Sequence, residues 1–249
     1  MVILRRPDEI EKLRTSNRIV AEILVALKDM IRPGITTIDL NRYSDELAAK
    51  RGATPAFKGY MGYPYSLCVS VNEEVVHGLP GERVLNAGDI VSLDFGVFFQ
   101  GYCGDAAITV AVGQVSENAA KLMKVTEEGL YDGIKEAKTG KRLGDISAAV
   151  QARVESHGFS VVRDFVGHGI GRSLHEDPQI PNYGAKGRGI ELKAGMVFAI
   201  EPMVNEGTHK VKVLADGWTV TTEDGKLSAH FEHSVVITEN GPAILSILN

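Results

Sequence analysis

The sequence predicts an α+β fold of two related halves, each with helices laid over antiparallel strands. One observation is periodicity: apolar residues recur at helical spacing early in the chain and again past its middle. Each time, short runs rich in Val, Ile and Phe follow. A second is self-similarity. "LNAGDIVSLDF" (85–95) aligns with "LKAGMVFAIEP" (192–202), so that Leu85, Ala87, Gly88 and Asp94 match Leu192, Ala194, Gly195 and Glu201 at a single offset of 107. Gly34, Asp39 and Gly52 match Gly140, Asp145 and Gly158 at an offset of 106. His77-Gly-Leu-Pro80 resembles His175-Glu-Asp-Pro178, and Asp105 before "AAITVAVG" resembles Glu232 before "HSVVITENG". Several matches in the same order mark a duplication, with halves at about 1–116 and 117–249. No Pro-, Ser- or Gly-rich linker separates them, so residues 1–249 read as one domain of fused halves.

Taken in order, a first helix runs from about Asp8 to Met30. Ile10, Leu13, Val20, Leu24 and Leu27 fall on one face, Pro7 suits its start and Pro33-Gly34 ends it. A second helix begins near Thr37 and stops at Gly52, a C-cap glycine. A loop-rich stretch, "FKGYMGYPYSLCVSVN", leads into strands around Cys68–Val71 and Ile90–Phe98. Asp94 and Asp105 then fall on neighbouring antiparallel strands joined by a turn near Phe99–Gly101. That hairpin places both side chains on one face at about the same level. The second half repeats the plan, with a helix from about Glu117, another from Leu143 to His157, and strands after it.

Composition narrows the function. The chain has 249 residues and a net charge of −5, with no basic stripe of the kind nucleic-acid binding requires. The start, "MVILRRPDEIEKLR", lacks the apolar core of a signal peptide. The most apolar helical stretch, "IVAEILVALKDMI", is interrupted by Glu22, Lys28 and Asp29 and is not a membrane span. Two cysteines, Cys68 and Cys103, suit free thiols in a reducing cytoplasm.

The chemistry concentrates in five residues: Asp94, Asp105, His168, Glu201 and Glu232. Each lies in or beside an apolar run that reads as a strand. A carboxylate in a packed interior is costly unless neutralised. Four of them with one histidine form a cage for two divalent cations, which bridging carboxylates hold about 3.5–4 Å apart in two-metal hydrolases. The glycines of "GHGIG" (167–171) let backbone approach His168 closely; they lack the spacing of a nucleotide loop. "HEDPQ" is not the zinc-helix motif, because no second His follows and Pro178 opposes a helix. Neither a serine-nucleophile elbow nor a paired-cysteine zinc site is present. Carboxylate-rich ligation suits Mn²⁺ or Fe²⁺, with Co²⁺ or Zn²⁺ also compatible. Tyr60, Met61, Tyr63, Tyr65, Phe57 and Cys68 crowd aromatic and sulfur groups into one stretch suited to a thioether guest.

The ordered set Asp94, Asp105, His168, Glu201, Glu232, with "HGIGRSLHEDP", "AIEPMV" and "HFEHSVVIT", closely resembles type I methionine aminopeptidase over nearly the whole chain. The resemblance implies the pita-bread fold, whose pseudo-twofold agrees with the repeat. It implies removal of the initiator methionine from nascent proteins when the second residue is small, a metal-bound hydroxide attacking the scissile carbonyl. It implies that Asp94 chelates a second metal, Asp105 and Glu232 bridge both, and His168 and Glu201 complete the first, Glu201 also shuttling a proton. His77 and His175 then face substrate, Tyr60, Tyr63, Cys68 and Trp218 surround the methionine pocket, and Asn72 and Ser228 lie near a monovalent-cation site. Leu174 stands where bacterial members commonly have Phe, and Met61 where His is common. The implied partners are the N-termini of nascent polypeptides and the ribosome, and the implied state is a cytoplasmic monomer. Rival readings are an X-Pro aminopeptidase or prolidase on the same fold, and a non-catalytic binding protein. The short lead-in before the first helix disfavours the former, and the full ligand set disfavours the latter.

Overall fold

A computed structural model describes residues 2–248. The helices are α1 (Pro7–Met30), α2 (Thr37–Lys50), α3 (Glu117–Glu136) and α4 (Leu143–Ser156). Pro7 opens α1, with Asp8 and Glu9 in the first turn where the helix dipole favours acids. Leu13, Val20, Leu24 and Leu27 lie on its buried face, as their spacing predicts. Thr36 caps α2: its hydroxyl accepts from the Asp39 N–H, and the Asp39 carboxylate accepts from the Thr36 N–H, both at 3.3 Å.

The strands are β1 (Thr54–Pro55), β2 (Leu67–Val71), β3 (Glu74–Val76), β4 (Ile90–Phe99), β5 (Tyr102–Ala111), β6 (Ser160–Val161), β7 (Gly167–Gly169), β8 (Glu176–Ile180), β9 (Val197–Ile200), β10 (Met203–Asn205), β11 (Val211–Val213), β12 (Val220–Thr222), β13 (Ser228–His230), β14 (Glu232–Thr238) and β15 (Gly241–Ile244). Nine of them form one antiparallel sheet in the order β1-β4-β5-β14-β9-β7-β8, with β2 also on β4 and β15 also on β14. Two three-stranded sheets, β13-β10-β6 and β11-β12-β3, accompany it.

The duplication is written in the backbone hydrogen bonds. Gly34 N–H donates to Leu85 O at 2.9 Å, and Gly140 N–H to Leu192 O at 3.0 Å. Leu85 N–H donates to Ile35 O, and Leu192 N–H to Lys141 O, each at 2.8 Å. Gly88 and Gly195, aligned in the repeat, both turn with positive φ, 99° and 91°, a conformation that side-chain-bearing residues resist. The two halves meet where Glu232 pairs with Ala107 and His233 with Ala106, so the sheet runs on across the seam between β5 and β14.

Alternation along the strands sorts the faces. Leu67, Val69, Leu93, Phe95 and Val97 point to one side and pack on Ile23, Leu24 and Leu27 of α1 and Leu40 of α2. Phe198, Ile200, Val235 and Ile237 do the same in the second half, against Leu130, Ile134 and Ile146 of α3 and α4. Each such fully buried side chain contributes about 1.5–3 kcal/mol, so the helical side holds the fold. The opposite side carries Ser92, Asp94, Ala107, Thr109, Ala199 and Ser234, small or polar residues that leave room.

Gln100 and Gly101 form the β4–β5 turn, both with positive φ (50° and 78°), the two-residue geometry that matches strand twist. The register corrects one detail of the sequence reading. Asp94 lies opposite Ala107 and Asp105 opposite Gly96, so the two acids share a face but sit diagonally, two residue pairs apart, not level.

Helix α1 braces this hairpin closely. A Cβ on Gly104 would stand 2.6 Å from backbone atoms of Ser16 and Asn17. The Asn17 amide oxygen, fully buried, accepts the Asp105 N–H at 3.2 Å. Gly104→Ala should therefore destabilise the protein by about 1–3 kcal/mol through overpacking, read as a lower urea midpoint at unchanged slope. A midpoint equal to wild type would show that α1 does not bear on β5 there.

Candidate active site

Register alone brings the sequence-predicted acids together. Asp94 pairs with Ala107, and Ala107 pairs with Glu232 on the other side, so one row crosses β4, β5 and β14. His233 pairs with Ile200, which sets Glu232 beside Glu201 just past the end of β9. His168 pairs with Ala199, two residues before Glu201 and on the same face. Because side chains alternate along a strand, Asp94, Asp105, His168, Glu201 and Glu232 all point to the same side.

Asp105, His168 and Glu232 are buried, and each offers an atom within 4.8 Å of the other two. His168 Nε2 lies 3.4 Å from Glu201 Oε1 and 4.0 Å from Asp105 Oδ2. The Gly169 carbonyl lies 3.0 Å from His168 Nδ1. With Nδ1 donating there, Nε2 is left bare and aimed at the carboxyls, the arrangement a metal-binding imidazole uses. Asp94 and Glu201 stand outside the tight trio as its immediate neighbours. Gly96 makes space for the cluster, since a Cβ there would stand 2.9 Å from the Phe57 ring and 3.2 Å from Asp105 Oδ1.

The electrostatics are one-sided. Burial pushes the Asp94 carboxyl up to about 7. Burial, then repulsion from the neighbouring acids, pushes Asp105 and Glu232 well above the usual carboxylate range. Glu201 rises for the same reasons, with Asp94 as its neighbour. Burial holds the His168 imidazole down to about 3. Burial thus disfavours charge on both partners of the His168–Glu201 contact. Among the described residues, Asp94 Oδ1, Asp105 Oδ1 and Glu232 Oε1 are buried with no hydrogen-bond partner. Such atoms cost about 1–3 kcal/mol or more each when left bare. A divalent cation fits that deficit in charge and in donor type.

The remaining predicted residues form the walls. A cavity of about 130 Å³ lies over the cluster, lined by Phe57, Tyr60, Tyr63, Cys68, Leu174 and Trp218 on its apolar side. Tyr63 and Trp218 meet edge to face at 5.1 Å. The Tyr63 hydroxyl donates to backbone carbonyls at Leu67 and Gly78, which fixes the ring. His175 stands at the mouth, its ring centroid 4.3 Å from that of His168 and its Nδ1 2.8 Å from the Tyr60 hydroxyl. His77 also lines the cavity, against the edge of Phe165. Met61 is 83% exposed and lies on the rim, whereas Leu174 is buried within the wall. Asn72 and Ser228 are neighbours, Ser228 N–H donating to Asn72 O at 2.8 Å. The Asn72 amide group faces Asp89 and Ile90, and the Ser228 hydroxyl faces Val204 and Asn205. Cys68 and Cys103 are both free and buried.

Two residues escaped the sequence reading. His230 is buried, with Nε2 3.8 Å from Glu201 Oε2 and no hydrogen-bond partner among the described residues. Its signal was the two-residue step to Glu232, which places it on the same face. Asn17 props the Asp105 backbone from α1. Its signal was an amide in the otherwise apolar stripe Leu13, Val20, Leu24.

The comparisons with known proteins agree with this geometry. The model of metallopeptidase family M24 matches residues 11–239. The chain belongs to metallopeptidase family M24. Among its relatives, the methionine aminopeptidase of Clostridium perfringens is 56% identical over 248 residues, covering 100% of both chains. The crystal structure of a Thermotoga maritima methionine aminopeptidase superposes with a TM-score of 0.98 at 52% identity, covering 100% of both chains. A prolidase from Pyrococcus horikoshii shares the fold at 21% identity and a TM-score of 0.80, over 100% of this chain and 65% of that one. The curled antiparallel sheet with helices on one side is the pita-bread fold of this M24 family.

The site carries a consequence for metal binding. Without metal, burial favours the protonated form of these carboxyls; metal needs them ionised. Titrating Mn²⁺ into chelator-treated protein near pH 6 should therefore release protons, seen as a calorimetric heat that changes with the buffer's ionisation enthalpy. A buffer-independent heat would mean the acids are already ionised. The same logic sets stability. Folded-state pKa values above the unfolded ones favour folding at low pH, and that contribution is lost as pH rises through about 7 for Asp94. The metal-free melting temperature should fall across that window.

Proposed function

We propose that this M24 metallopeptidase is a methionine aminopeptidase, releasing the N-terminal methionine from nascent chains whose second residue is small. The observation that carries it is the apolar cavity of Tyr60, Tyr63, Cys68 and Trp218 opening directly over the buried acid–imidazole cluster. Two relatives with that name, each more than half identical to this chain, support it. Asp94, Asp105, His168, Glu201 and Glu232 would hold two divalent ions, Asp105 and Glu232 lying between the others. When bound, such ions supply Lewis acidity and a water acidic enough to react near neutral pH.

The protein's own groups do the rest. The aromatic walls and Cys68 take the unbranched thioether, for which sulfur–aromatic contact is favourable. His77 and His175 flank the opening, so that a bulky second residue collides with them. Glu201 accepts a proton at its carboxylate from the attacking water and returns it to the leaving amine. With the Tyr60 hydroxyl donating to His175 Nδ1, the Nε2–H of His175 is free to donate to the scissile carbonyl oxygen as negative charge gathers there. None of the described helices is long and apolar enough to cross a membrane. The reading we propose is a cytoplasmic enzyme acting as a monomer on emerging chains, in keeping with the two free thiols.

The decisive experiment is methionine release from Met-Ala-Ser by metal-loaded protein, against release of the first residue from X-Pro peptides lacking methionine. Preferred cleavage of the latter would favour the prolidase reading. Glu201→Gln should lower kcat by about 10²–10⁴-fold with folding retained. His175→Ala should lower it by about 10²–10³-fold with metal content intact; lost metal would instead make His175 a ligand.

Specificity by apolar fit alone is modest, about 1–3 kcal/mol per methylene. Norleucine peptides should therefore be cleaved slowly, not excluded. Leu174→Phe fills part of the wall and should raise KM for analogues bulkier than methionine while sparing methionine itself. An unchanged analogue profile would remove Leu174 from the specificity-setting wall.

A further inference from the structure

The turn that presents His175 is gripped from the first residues of the chain. Arg5 is only 6% exposed although it is charged. Its N–H donates to Gly195 O at 2.7 Å, which fastens the backbone beneath the second half. Its guanidinium donates to Glu176 Oε2. The other carboxylate oxygen, Glu176 Oε1, accepts the backbone N–H groups of Arg172 at 2.9 Å and Ser173 at 3.2 Å. Glu176 thereby ties together the ends of the segment 172–176, and His175 lies within it. Gly171 completes the fit, because any Cβ there would overlap the Arg5 guanidinium. A second hold comes from the same direction. The Arg172 guanidinium lies 4.8 Å over the Tyr102 ring and donates to its hydroxyl at 2.7 Å, and that hydroxyl donates to Glu9 at 2.8 Å. Cys103 N–H donates to Gly171 O at 2.7 Å.

We propose that the Arg5–Glu176 pair positions His175 for the reaction, so that the N-terminal segment preceding α1 is a working part of the active site. Arg5 touches neither substrate nor metal; it acts through Glu176 and the turn. The physical logic is preorganisation. A surface turn without this tie samples many backbone states, and a donor displaced by 1 Å can cost about 10²-fold in rate. A largely buried charge pair with every carboxylate oxygen engaged holds one state, and removing one partner leaves the other uncompensated. The inference rests on the substrate-facing role given to His175 above.

The test uses full-length Mn²⁺-loaded protein and Met-Ala-Ser. Arg5→Met and Glu176→Gln are made alone and with His175→Ala. Each alone should lower kcat by about 10- to 10²-fold, with KM nearly unchanged and full metal content. In the His175→Ala background neither should lower kcat further, because the residue they position is gone. Arg5→Lys, which restores the charge but not the fork, should recover part of the loss. In parallel, in protein loaded with diamagnetic Zn²⁺, the His175 imidazole resonance should shift in Arg5→Met. An equal further loss in the His175→Ala background, or lost metal, would reduce the pair to a structural tie and overturn the proposal. So would wild-type kcat in both single variants. Wild-type kcat in His175→Ala alone would instead remove the substrate role of His175; the resonance arm then decides whether the clamp positions the ring. Should Arg5→Met fail to fold, Glu176→Gln, which retains the acceptor for both N–H groups, carries the comparison.

Discussion

Four carboxyl groups crowded on one face of a sheet are the constraint around which the rest of this molecule is arranged. Mutual repulsion and burial both act against their ionisation. Only protons or a cation offset that cost, and protons leave buried oxygens unpartnered. The stability to carry such a face comes from elsewhere. The helical side of the sheet is packed with Leu, Ile, Val and Phe from both halves, while the acid-bearing side is kept small with Ala107, Ala199, Ser92 and Gly96. One sheet thus separates its two tasks by face, and strand alternation is the device that does it.

The duplicated architecture explains why the acids meet. Each half contributes a strand pair of the same design, β4–β5 and β9–β14, and the pairs join along β5 and β14. A row from Asp94 through Ala107 to Glu232 and Glu201 follows from the pairing alone. The halves are not equal in their duties. The second half supplies the only imidazole of the tight cluster, His168, and the turn bearing His175. The first half supplies the brace from Asn17 and the aromatic stretch from Phe57 to Tyr63. The cluster is therefore assembled by contacts between the halves, with Asn17 bearing on the backbone of β5.

Much of this was legible in the chain. Helical spacing and end signals located α1, α2 and α4 to within a residue or two, because Pro7, Pro33 and Gly52 act locally and do not await the rest of the fold. The repeat was legible because positive-φ glycines and helix-capping acids tolerate few replacements. The four acids and the imidazole were legible because such residues in the midst of Val, Ile and Phe runs contradict their surroundings. His230 and Asn17 were not found, although each had a weak periodic signal. A single polar residue on an apolar face gives no sign of what it will meet across the fold.

Residue type and order thus determined the helices, the strands, the two-half plan and which side chains carry charge into the interior, since propensity, capping and alternation operate over a few neighbours. Tertiary structure decided distances and partners. It set Asp105 diagonal to Asp94, because a two-residue turn fixed the hairpin register. It also brought Arg5, from the start of the chain, under Gly171 and onto Glu176. Register and long-range closure depend on the whole packed sheet, and no local pattern specifies them.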